Sequence, residues 1–160
     1  MLDRFNRFSL AIAEIYRCWH KLAGEELAKH GLNSPHAVYL NALYDNSEGL
    51  TSARLGEVCG KDKADVSRMT AILERKGFLC REGADNNRYR AVLKLTEEGM
   101  EIARHVRERA SLAVELGSSG LSQENREVFY SALELIASNL TKMSKEGLPP
   151  CHPGRKLAQK

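Results

Sequence analysis

The chain has 160 residues, 42% hydrophobic and 28% charged, with a net charge of +3 and four cysteines. This is the composition of an ordinary globular domain, and its mildly basic balance permits a nucleic-acid partner without requiring one. No apolar run approaches the roughly 18 residues that span a bilayer, Arg4, Arg7 and Glu14 interrupt the only apolar start, and the cysteines form no Cys-x-x-Cys pair, so membrane span, secretory leader, zinc ribbon and disulfide framework are set aside.

Residues 3–30 carry Phe5, Phe8, Ile12, Ile15, Tyr16, Trp19, Leu22, Ala23 and Leu27 at three- and four-residue intervals, which predicts one long amphipathic helix closed by Gly31. The stripe is longer than a small core requires. Two readings stand: a core helix, or a helix that packs partly against another subunit. Asn33-Ser34-Pro35 predicts a restart, with Ser34 as cap and Pro35 as first helical residue, and then Ala37, Tyr39, Leu40 and Leu43 pointing inward. Gly49-Leu50-Thr51 is expected to add a short strand.

Residues 50–99 predict a short helix, a tight turn, a second helix and a two-stranded hairpin. Thr51 or Ser52 caps the first helix, Leu55 and Val58 are its buried positions, and Gly60 stops it. Asp62 stands before the second helix with Asp65 three residues on, an imperfect relative of the capping box. Val66, Met69, Ile72 and Leu73 share one face, leaving Lys63, Ser67, Arg68 and Thr70 turned outward near the helix start. Gly77 ends the helix. Phe78–Arg81 and Arg88–Leu95 then alternate as strands around a polar tip at residues 83–87.

Thr96 caps the next helix, expected to run through Ile102, Val106 and Ala110 to about Leu116. Ser122 caps a last helix whose stripe is Val128, Phe129, Ala132, Leu133, Ile136, Leu140 and Met143. The long helices at both ends carry more apolar surface than a small core covers, which points to a helical homodimer interface. The expected organisation is a helical dimerisation region over 1–31 and 97–146, a winged helix-turn-helix over 32–96, and a flexible basic tail over 147–160. The fold class is mainly α with a small β-hairpin wing.

A helix N-terminus bearing short polar and basic side chains fits the major groove of double-stranded DNA, where base edges present a distinguishable donor and acceptor code. An arginine at a hairpin tip reaches the minor groove or the sugar-phosphate backbone. Charge agrees. Residues 52–94 hold ten basic and six acidic side chains, an excess of four against +3 for the whole chain. The candidate DNA-binding residues are Arg54, Lys63, Asp65, Ser67, Arg68, Thr70, Arg88 and Arg90. For Arg54 and Lys63 phosphate contact stands beside a solvated face, and for Asp65 a role at the helix start stands beside acceptance from a cytosine amino group. Arg81 and Lys94 sit at the strand bases, where structural salt bridges are expected.

The order of elements resembles the MarR family of bacterial transcriptional regulators. The most specific similarity is Asp65-Val66-Ser67-Arg68 through Leu73-Glu74-Arg75-Lys76-Gly77-Phe78-Leu79, followed by Leu95-Thr96-Glu97-Glu98-Gly99 after the wing. The resemblance covers roughly residues 5–146. It implies a two-fold dimer joined through first and last helices, binding pseudo-palindromic DNA, usually as a repressor released by a small phenolic ligand, an oxidant or a metal. The family's wing commonly carries aspartate-x-arginine; here Asp85 is followed by Asn87 and then Arg88. Arg88 is therefore the expected minor-groove residue, with Arg90 in support.

Tyr16, Trp19, His20 and Tyr39, with Tyr44, are the candidate lining of an effector cavity, against a competing reading as core. Cys18 is either a sensor thiol or a small buried hydrophobe. No histidine pair has metal-ligand spacing, and no nucleophile stands with a base and orienter, so neither metal, cofactor nor enzymatic activity is expected. The competing function is a winged-helix protein-interaction module without DNA binding.

Overall fold

The computed structural model of the protein describes residues 2–83 and 91–148. In chain order the elements are α1 (Leu2–Ala28), α2 (His36–Tyr44), β1 (Leu50–Thr51), α3 (Ser52–Cys59), α4 (Lys63–Arg75), β2 (Leu79–Glu82), β3 (Val92–Leu95), α5 (Glu97–Gly117) and α6 (Gln123–Glu146). The strands form one antiparallel sheet in the order β1-β3-β2, with Leu50 opposite Leu93 and Leu79 opposite Leu95. Two compact units divide the chain, residues 1–115 and 116–160.

The core of the first unit gathers Leu27 and Leu32, Tyr39, Leu40 and Leu43 of α2, Leu55 of α3, Val66, Met69 and Leu73 of α4, Phe78 and Leu79, Leu93, and Ile102, Ala103 and Val106 of α5. Sequence periodicity chose most of these positions because α2, α4 and α5 each turn one stripe toward the same centre. Val58 is an exception at 46% exposed, although expected inside. At about 100° per residue Leu55, Gly56 and Cys59 span the inner face of α3, and Val58 falls to its side. Gly56 is needed there, since a Cβ on it would lie 2.9 Å from the Lys61 carbonyl oxygen.

Caps set the helix boundaries. Thr51 accepts from the Arg54 amide at 3.3 Å, Asp62 from the Asp65 amide at 2.8 Å, and Ser122 from the Asn125 amide at 3.3 Å. Ser34 does not cap α2 as expected. Its hydroxyl is 3.2 Å from His20 Nδ1, and the helix starts at His36 after a tight turn in which the His36 amide donates to the Asn33 carbonyl at 2.9 Å. The His36 ring is buried, with Nδ1 3.2 Å from the Asn33 backbone nitrogen.

The Leu-Thr-Glu-Glu-Gly run joins wing to helix by two contacts of Thr96. Its hydroxyl donates to the Gly77 carbonyl at 2.7 Å and accepts from the Gly99 amide at 3.1 Å. Gly99 is demanded by proximity, because a Cβ there would sit 2.0 Å from the Phe78 carbonyl oxygen. Further along α5, Arg107 pairs with Asp45 at 2.9 Å and lies 5.0 Å over the Tyr44 ring. The second unit contains α6, in which no residue is buried.

Candidate nucleic-acid interface

The first half of α4 presents Lys63, Ala64, Ser67 and Arg68 to solvent, and the Arg68 side chain is 68% exposed. These positions lie opposite Val66, Met69 and Leu73, so packing of the apolar stripe against the core turns them outward. Arg54 on α3 is also exposed, held by Glu57 at 2.7 Å.

Thr70 requires a correction. Expected to face outward, it is fully buried. It follows Val66 by four residues and therefore shares its face, and its hydroxyl donates back to the Val66 carbonyl at 2.8 Å. The Arg81 guanidinium reaches the same hydroxyl at 3.5 Å while pairing with Glu74 at 3.1 Å. Lys94 pairs with Glu82 at 2.9 Å. Arg81 and Lys94 thus carry the strand salt bridges expected of them. Arg88 and Arg90 lie outside the described residues.

Asp65 is engaged from within the protein on both oxygens. The Tyr39 hydroxyl donates to Oδ2 at 2.8 Å, and the Arg68 guanidinium pairs with Oδ1. The Tyr39 bond, opposed by partial burial and assisted by Arg68, holds the Asp65 carboxyl below its ordinary range. The Tyr39 phenol is pushed far up, first by burial and then by the facing carboxylate. Nothing in the sequence pattern linked Tyr39 to Asp65, which are 26 positions apart.

Of the four residues considered for an effector cavity, the structure brings Tyr16 and His20 into contact with each other. Tyr39 is wholly buried with its hydroxyl engaged, whereas Tyr16 and Trp19 are 64% and 40% exposed on α1. His20 is half-buried, its ring 4.2 Å from that of Tyr16. Cys18 is exposed, with Sγ 3.5 Å from Glu14, so the buried alternative for it does not hold. Sequence reasoning also missed Glu26, a buried carboxylate on α1 that meets Lys29 at 2.8 Å and, from α5, His105 at 2.8 Å and Arg109 at 4.0 Å. The Lys29 hydrogen bond holds the Glu26 carboxyl below its ordinary range against the opposing effect of burial. Among the described residues there is no cluster of side chains suited to a metal ion, and no helix is long and apolar enough to cross a membrane.

The sequence model of the MarR family matches residues 30–88. The chain is 24% identical over 129 residues to the HTH-type transcriptional regulator YybA of Bacillus subtilis, covering 81% of this chain and 85% of YybA. A MarR transcriptional regulator from Methanosarcina mazei has the same fold, with a TM-score of 0.75 and 22% identity over 86% of this chain and 92% of its own. A MarR-family regulator from Listeria monocytogenes, solved with a 26-mer DNA, superposes with a TM-score of 0.74 and 19% identity over 89% and 96% of the two chains. The matched residues run from just after α1 through α4 and β2, and the fold extends that likeness over most of the chain: this protein is similar to the MarR family of transcriptional regulators, in sequence over residues 30–88 and in fold over most of its length.

Proposed function

We propose that the chain is a sequence-specific DNA-binding regulator that acts as a homodimer on a pseudo-palindromic operator, as a repressor that responds to a small effector. The observation that carries DNA binding is the solvent-facing start of α4, where Ser67 and exposed Arg68 stand on a helix braced by the core beneath it. Arg68 and Ser67 read base edges in the major groove, and Arg54 and Lys63 contact phosphates. Arg88 enters the minor groove with Arg90 beside it. The DNA-bound Listeria relative supports this reading by its shared fold.

Dimerisation is supported by uncovered apolar side chains on both terminal helices. On α1 these include Phe5 at 67% and Ile15 at 57% exposed, and on α6 Val128 at 64% and Leu140 at 49%. Two copies related by two-fold symmetry present their recognition helices roughly 34 Å apart, one turn of DNA. The repressor action and the effector response rest on the resemblance to the MarR family.

The test is titration of duplexes drawn from the DNA flanking the gene, across several salt concentrations. Arg68→Ala is expected to weaken specific binding about 5- to 150-fold. Arg88→Ala weakens binding and flattens the salt dependence. Unchanged affinity in both variants removes these contact assignments, and absence of any duplex binding at low salt replaces the DNA reading with a protein-interaction module.

A further inference from the structure

We infer that Tyr39 and Asp65 are positioning residues that aim Arg68 at a guanine, so that base preference at one position of each half-site is set partly from inside the core. The inference rests on the DNA-binding reading above and adds the device that orients its central side chain. The Tyr39 ring is wholly buried on α2, so its hydroxyl is a fixed donor rather than a mobile one. That hydroxyl grips Asp65 Oδ2 at 2.8 Å, while the Asp65 amide is held by the capping carboxylate of Asp62 at 2.8 Å. Backbone and side chain of Asp65 are thereby fixed independently.

The remaining Asp65 oxygen takes Arg68 through Nη2. An arginine so exposed otherwise samples many rotamers, and ordering it on DNA opposes binding. Tethering one nitrogen to a fixed carboxylate removes much of that freedom beforehand. It does so without exhausting the guanidinium, which has five N–H donors in a planar fork, enough to meet the O6 and N7 acceptors of guanine while the carboxylate holds the other side. The same geometry argues against Asp65 as a reader of cytosine, because both its oxygens already have donors from the protein. The connection runs from the buried Tyr39, through Asp65, to an exposed cation.

The experiment is selection from a pool of randomised duplexes by the full-length wild type, Tyr39→Phe, Arg68→Ala and the double variant, with affinity for a random duplex and the unfolding midpoint measured for each. Tyr39→Phe keeps the buried ring and removes only the hydroxyl. Wild type is expected to select guanine at one position per half-site, and Arg68→Ala to erase that preference. Tyr39→Phe is expected to reduce it about fivefold, with random-duplex affinity within about twofold of wild type, and the double variant to match Arg68→Ala. Full guanine preference in Tyr39→Phe, or effects of the two substitutions that simply add, overturns the positioning role while leaving the DNA reading intact. A wild type that binds no duplex overturns both, and equal guanine preference in wild type and Arg68→Ala removes Arg68 as the reader and the positioning role with it.

Discussion

Helices α4 and α6 are built alike and end up in opposite circumstances. Each begins at a short polar cap, Asp62 or Ser122, and each carries an apolar stripe at helical spacing. On α4 the stripe is sealed: Val66, Met69 and Leu73 are no more than 8% exposed. On α6 the corresponding residues Phe129, Leu133 and Ile136 are 37–44% exposed, and nothing on the helix is buried. Periodicity therefore says which side chains share a face, while what covers that face is decided by neighbours. For α4 the neighbours are α2, α3 and β2 of the same chain. For α6, in our proposal, they belong to a second copy.

Four substitutions or conditions break or sharpen this contrast. Leu73→Ala, which empties a fully buried site, is expected to lower unfolding free energy by about 2–5 kcal/mol in urea titration, whereas Leu133→Ala on α6 costs little in the isolated chain. Equal losses would mean that α6 is covered after all. Gly99→Ala forces a methyl group onto the Phe78 carbonyl, and a loss of about 1–3 kcal/mol or more is expected in the same titration. Next, Phe129→Asp combined with Ile136→Asp is expected to convert a dimer to monomers in sedimentation while leaving helix content per chain unchanged. A persistent dimer would exclude the α6 stripe as the seam.

The smallest effect concerns pH. Burial, opposed by the Asn33 backbone contact and assisted by the positive charge of Lys76, lowers the His36 pKa below 6.5. The fold therefore favours the neutral ring over the charged one. That contribution is complete above pH 6.5 and is lost as pH falls toward the folded value. Glu26 and Asp65, both lowered carboxyls, add losses only below about 4.5 and 3.8, their ordinary values. The thermal midpoint is thus expected to drop between pH 7.5 and 5.5, and a His36→Gln variant to lack that step. An unchanged step in the variant would assign it to another group.

Local features were readable one residue at a time. The caps Thr51, Asp62, Thr96 and Ser122, the stops at Gly31, Gly60 and Gly77, and the alternation of Ala91, Leu93 and Leu95 each depend on a few neighbouring positions. So does the outward placement of Ser67 and Arg68. Apart from Val58, which helix geometry turns to the side of α3, the features missed involve a partner further along the chain. Ser34 lost its capping role to His20, Thr70 was claimed by the core and approached by Arg81, and Tyr39, inward as expected, proved also to be a donor to Asp65.

The amino-acid sequence by itself determined the order of helices and strands, the caps between them and the faces that carry apolar or basic side chains, because these follow from backbone geometry over three or four residues. Tertiary structure alone decided that Glu26 is buried between Lys29, His105 and Arg109, that Tyr39 meets Asp65, and that the α6 stripe is left open within the chain. Those outcomes depend on which surfaces are brought within hydrogen-bond or van der Waals distance, and no local spacing encodes that distance.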